Sequence, residues 1–186
     1  VWDQAGGDAP DAANLISLEE TMRRLLGRAG VVLVAAALAV VVAAAPAAAH
    51  VVANPNEADS RFFHTAFRVG HGCDGSPTTA VRVEIPDGVY FVYPEAVPGW
   101  ELEVERARFG RFGRVVEVAW VGGPLPSDQV QLFGLWFWIS PHAPEVLWFP
   151  TVQECEVGER RWVNIPPSLE EWGATEEPAP YVVNAT

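Results

Sequence analysis

Apolar positions recur with period two along most of this chain, the spacing that puts alternate side chains on one face of a strand. Val81, Val83 and Ile85 alternate with Arg82 and Glu84, and the run ends at Pro86-Asp87-Gly88. Leu102 and Val104 alternate with Glu101, Glu103 and Glu105. Val116, Val118 and Trp120 alternate with Val115, Glu117 and Ala119, and Gly122-Gly123-Pro124 is expected to stop that run. Phe63 to Val69 alternates less regularly, and Leu132 to Ile139 is a longer apolar run carrying Trp136 and Trp138. Leu147 to Phe149 and Arg161 to Ile165 read as two short strands. Turn residues punctuate these runs roughly every ten to fifteen residues, as in a β-sandwich. Residues 168–172 form a helical turn at most, and 176–186 read as a polar tail with an edge strand at Tyr181-Val182-Val183.

The first part of the chain is patterned differently. Met22 to Arg28 is a short basic stretch, Val31 to Val42 is an unbroken run of Val, Leu and Ala, and Pro46 precedes Ala47-Ala48-Ala49. This is the three-part layout of a secretory signal, spanning 22–49, with the cut before His50. An uncleaved anchor is the alternative, since the apolar run approaches membrane-spanning length. Residues 1–21 read as a spurious extension from an upstream start codon. Cleavage would leave one domain of ordinary size, exported to the periplasm, cell envelope or medium, with no further apolar stretch to anchor it.

Cleavage would also make His50 a first residue. Its α-amine and ring Nδ1 could then close a chelate on one metal ion, and nitrogen donors of that kind favour Cu(II).

Charge narrows the partners. The chain carries a formal net charge of −12, and all twelve basic residues are arginine. An acidic surface repels phosphate backbones, so no nucleic acid partner is expected. Cys73 and Cys155 would meet an oxidising compartment, where a disulfide is expected. It would close a loop of more than 80 residues, worth about 4 kcal/mol in chain-entropy terms. A soft copper ligand is the other reading of these cysteines, although neither sits in a Cys-x-x-Cys pair.

Side chains that could carry chemistry are few. His50, His64, His71 and His142 show no close metal-ligand spacing. His71 lies in a glycine-rich loop beside Cys73 and is a possible additional metal ligand. His64 falls in a strand and His142 in a turn. No nucleophile elbow and no phosphate-binding glycine loop occurs, so no enzyme activity is expected. Most of the tryptophans after residue 49 are expected in the core. Trp136 and Trp138 share parity, and if exposed they would offer a sugar or a partner a common face.

Several segments carry a family resemblance. They are Ala49-His50-Val51, the run Phe67 to Thr79 around His71 and Cys73, Pro98-Gly99-Trp100, Trp120 to Pro126, Phe149 to Glu156 around Cys155, and Arg161-Trp162. Together they resemble the YcnI-like copper-binding domain family over nearly all of the chain after residue 49, with the domain placed at 50–175. The resemblance implies an immunoglobulin- or fibronectin-like β-sandwich that holds Cu(II) through the amine and ring of His50, with Trp162 near the metal. It also implies a role in copper storage, trafficking or homeostasis, with a copper-transport or copper-chaperone protein as partner. The chain departs from the family where Phe133-Gly134-Leu135 stands in place of a Phe-Gly-Glu pattern, so a carboxylate is missing there. Two other readings are a copper-dependent oxidative enzyme, which would need a second histidine beside His50, and a metal-free structural or adhesive sandwich.

Overall fold

The computed structural model describes residues 50–107 and 113–186. The expected signal at 22–49 and the extension at 1–21 lie outside them. Residues 49–186 form a compact unit of their own.

Among the described residues, twelve strands follow one another as β1 (Val52–Asn54), β2 (Glu57–Ala58), β3 (Phe62–Val69), β4 (Thr78–Glu84), β5 (Val89–Pro94), β6 (Trp100–Arg106), β7 (Val115–Leu125), β8 (Gln131–Ile139), β9 (Val146–Trp148), β10 (Thr151–Cys155), β11 (Glu159–Trp162) and β12 (Tyr181–Asn184), with a 3-10 helix at Leu169–Ala174 before the last. One sheet has the order β1-β3-β8-β5 and another β11-β10-β4-β7-β6, while β2-β12-β9 forms a small third. Among the described residues the named strands pair antiparallel except β12 with β2. The architecture is an immunoglobulin-like β-sandwich.

Alternation accounts for the core. On β3 the odd residues Phe63, Thr65, Phe67 and Val69 are buried, and on β8 the odd residues Phe133, Leu135, Phe137 and Ile139 are buried. Phe149 packs between the sheets, its ring 5.3 Å from Phe67 and 5.6 Å from Phe137. Burying a ring of this size stabilises by about 1.5–3 kcal/mol. Trp120 is fully buried and its indole N–H donates to the carbonyl of Glu95 at 2.8 Å.

The structure corrects the sequence reading at several places. Gly122-Gly123-Pro124 does not end its strand: β7 runs on to Leu125. A Cβ on Gly122 would lie 2.8 Å from the carbonyl oxygen of Gly99, and one on Gly123 2.7 Å from the Trp100 ring. Both glycines also hold positive φ. They let β6 and the Trp100 ring press onto the strand where any side chain would block them. Two further strands, β5 and β10, are present that the apolar pattern did not bring out. On β10 the inward residues Thr151 and Gln153 are polar, which hid the pattern. On β5 a bulge between Tyr90 and Tyr93 breaks the alternation. Tyr181–Asn184 is not an edge strand, since β12 lies between β2 and β9 with Val182 fully buried. Trp136 and Trp138 point away from the core, because their parity is opposite to that of the buried residues of β8.

Candidate functional site

His50 is the residue before Val51, which is buried to 1% exposure, and the chain then enters β1, paired with β3. Burial of Val51 fixes where the His50 ring emerges. Two indoles face that ring. Trp162, buried at the end of β11, has its centroid 5.5 Å away with an interplanar angle of 62°. Trp172, from the 3-10 helix, lies 5.0 Å away at 88°. Both contacts are edge-to-face, the arrangement aromatic quadrupoles prefer.

The indoles are held in turn. Trp162 donates its N–H to the side-chain oxygen of Gln153 at 3.3 Å. Gln153, itself 1% exposed, donates from Nε2 to the His71 carbonyl at 2.7 Å and to Thr78 Oγ1 at 2.8 Å. All its hydrogen-bonding atoms are engaged, so a polar side chain sits in the interior without an unpaired group. Trp172 donates to the carbonyl of Ala179 at 2.7 Å and packs against Tyr181, 5.5 Å between centroids.

Partial burial pushes the His50 pKa below its ordinary value by disfavouring the charged ring. A neutral imidazole carries a free lone pair, the form a metal needs. Among the described residues, no three His, Cys, Asp or Glu side chains gather to hold a metal ion.

The other expected site residues fall as follows. Cys73 and Cys155 form a disulfide with Cα atoms 6.0 Å apart, so neither is a copper thiolate. It ties the loop of His71 to the end of β10, beside Gln153. His71 has its Nδ1 2.7 Å from the carbonyl of Gly72, so that nitrogen donates and is not a free ligand atom. Trp162 gives its N–H to Gln153 and faces the His50 ring as an aromatic wall. His64 lies on β3 with Nε2 3.1 Å from Glu95 Oε1, and His142 is exposed in a turn. Space above Gly134 is filled by Glu95: a Cβ there would meet Glu95 Oε2. This carboxylate contacts His64 and the Trp136 indole N–H. Trp172 and Gln153 were not singled out from the sequence. Trp172 lies in a six-residue turn without periodicity, and Gln153 is a polar residue in an inward position.

A family model described as a domain of unknown function, DUF1775, matches residues 50–183. The chain belongs to the DUF1775 family. The match to this family begins at His50 and includes β12, so it runs past the expected boundary at 175. A crystal structure of an uncharacterized protein from Nocardia farcinica, reported to reveal an immunoglobulin-like fold, is similar to the DUF1775 domain here. The two are 31% identical with a TM-score of 0.60, and the alignment covers 75% of this chain and 100% of that one. No curated protein matches.

Proposed function

We propose that this DUF1775 domain is a non-catalytic, exported Cu(II)-binding protein that holds copper through His50 once that residue is the first of the processed chain. The observation that carries the reading is the clasp of the His50 ring between Trp162 and Trp172 at the residue where the family match begins. The donor chemistry fits. A terminal amine and one imidazole nitrogen of the same residue supply two nitrogen donors without any neighbouring ligand cluster, and Cu(II) heads the divalent affinity order for such donors. Residues 22–49 would be the secretory signal and 1–21 lie upstream of it. Copper, when bound, would supply charge and redox capacity there. The protein's own residues cover one side of the ring and favour its neutral form. A site with few ligands and an open side suits copper storage or transfer to a copper-transport or copper-chaperone partner.

Tryptophan emission tests this. With both indoles within 5.5 Å of the ring, Cu(II) bound at a free His50 terminus should quench fluorescence and saturate at one equivalent. Replacing His50 by Ala should remove that saturable phase. Equal quenching of the two chains would contradict the reading.

A second reading is a metal-free structural or adhesive sandwich. It is favoured by the lack of a three-ligand cluster among the described residues. It predicts that blocking His50 changes nothing.

A further inference from the structure

The outer face of the β1-β3-β8-β5 sheet carries a contiguous set of aromatic rings. Strand register sets two rows of them. Phe62 on β3 is opposite Trp138 on β8, which is opposite Tyr90 on β5. In the next row His64 is opposite Trp136, which is opposite Tyr93. The bulge between Tyr90 and Tyr93 turns Val92 into the core and leaves both tyrosines outside. Phe91 joins the set, its ring 6.2 Å from that of Trp138. The rows are joined as well, with the Phe62 ring 6.4 Å and the His64 ring 4.8 Å from Trp136.

These rings face solvent on the single chain. Phe62, Tyr90, Phe91, Tyr93 and Trp136 are between 42% and 64% exposed. A fully buried aromatic side chain removes about 150–250 Å² from water, so five half-exposed rings leave about 500 Å² of largely apolar surface uncovered. Apolar residues scattered singly over a surface are ordinary, whereas a joined patch of this size marks a contact surface. Two such patches set face to face would bury about 1,000 Å² from the rings alone. Leu132, 49% exposed, and the polar border described below add to that. The sum reaches the range of about 1,200–2,000 Å² that a stable interface needs.

Shape and polarity point to the same occupant. Small-molecule sites are concave. This face is the open surface of a sheet, and such a surface packs well on another sheet. Homodimer interfaces are more apolar than other protein interfaces and carry a polar rim. A rim is present here. Glu95 lies one row beyond the rings, flat over Gly134, where it accepts the Trp136 N–H at 3.2 Å and stands 3.1 Å from His64 Nε2. Arg68 lies a further row along β3, opposite Leu132. The carboxylate of Glu95 thus has partners within its own chain and sits at the edge of the rings, so pairing two copies does not strand it.

We propose that this face pairs with the same face of a second copy of the chain, forming a homodimer. The pairing is independent of copper, because the aromatic neighbours of His50 are Trp162 and Trp172, which belong to neither row.

Residues 50–186 suit the test, since the solved relative is covered along its whole length by this domain. Sedimentation equilibrium from about 1 μM to about 1 mM should show monomer and dimer in exchange. The whole chain has a formal net charge of −12, so two copies repel and added salt should strengthen the pairing. Tyr93→Ala and Trp136→Ala should each weaken it by about tenfold or more, since Trp and Tyr dominate interface energetics. Tyr93→Asp sets a carboxylate against the same face of the second copy and should abolish it. Glu101→Ala, on the edge strand β6 of the other large sheet, should leave it unchanged. Circular dichroism checks that each variant is folded. A chain that stays monomeric up to about 1 mM, a dimer equally stable in all three face variants, a dimer that salt dissociates, or one weakened as much by Glu101→Ala would overturn the proposal. So would a monomer retarded in gels holding a soluble β-glucan, with that retardation lost in Trp136→Ala, since a sugar would then be the occupant.

Discussion

The indole N–H of Trp162 donates to the side-chain oxygen of Gln153 at 3.3 Å, inside the core, where Gln153 is 1% exposed. This bond couples the wall of the His50 site to β10 and, through the amide nitrogen of Gln153, to the carbonyl of His71. Gln153 is thus the interior support of the candidate site.

Replacing Gln153 by Leu keeps the volume and removes the partner of three groups. The Trp162 N–H, the His71 carbonyl and Thr78 Oγ1 would each lose a bond. A buried donor or acceptor left unpaired costs about 1–3 kcal/mol. Urea denaturation should show a loss of at least that size, with Trp162 emission altered in the folded chain. Stability equal to wild type would show that the network carries no weight.

The disulfide should matter for stability. Cys73 and Cys155 stand 82 residues apart in sequence, and removing a link of this kind typically costs about 2–5 kcal/mol. A Cys73→Ser, Cys155→Ser chain should unfold at a clearly lower denaturant concentration than the oxidised protein. Added reductant should lower the wild-type midpoint towards that of the variant and leave the variant unchanged. Identical midpoints in all cases would contradict this.

Gly72 is constrained by space. A Cβ there would lie 1.8 Å from the backbone oxygen of Ser76 and 3.0 Å from the Ser127 side chain. Backbone cannot step aside cheaply, and Cys73 next to it is bonded to Cys155. Gly72→Ala should therefore cost about 2 kcal/mol or more, read from the unfolding midpoint. Gly75→Ala is limited by its positive φ and meets no neighbouring atom, so it should cost less, about 1 kcal/mol. Equal costs at the two positions would count against the steric argument.

Stability should depend on pH through His50. Burial lowers its folded pKa from the ordinary 6.5. Between that lowered value and 6.5 the unfolded chain binds more protons than the folded one, so stability rises with pH across this window and is fully present above it. Acidification from about pH 7 to about pH 5 should lower the thermal midpoint. His50→Gln, which carries no titrating ring, should flatten that slope. An unchanged slope would show that burial of His50 is not linked to folding.

Much of this fold was legible because alternation is strong where one face is apolar. Strands β3, β4, β6, β7 and β8 could be read from Phe63, Val81, Leu102, Val118 and Leu135 with their neighbours. Strand β10 was not legible, because Thr151 and Gln153 face inward and their burial depends on partners far away in sequence. Strand β5 was not legible because its bulge at Phe91 breaks the period that identifies a strand. At the site, His50 and Trp162 could be named from local motifs and family resemblance. Trp172 could not, since its place against His50 comes from how the 3-10 helix docks through Ala179 and Tyr181.

The central claim is that the amine and ring of His50 together hold Cu(II). Electron paramagnetic resonance of Cu(II) tests it most directly, with one chain that begins at His50 and another that carries a single extra residue before it. The account predicts a stoichiometric signal with nitrogen hyperfine coupling in the first chain only. It also predicts that this signal fades as pH falls below the amine pKa of about 7.7–8. Equal spectra from the two chains, or no bound signal in either, would contradict it.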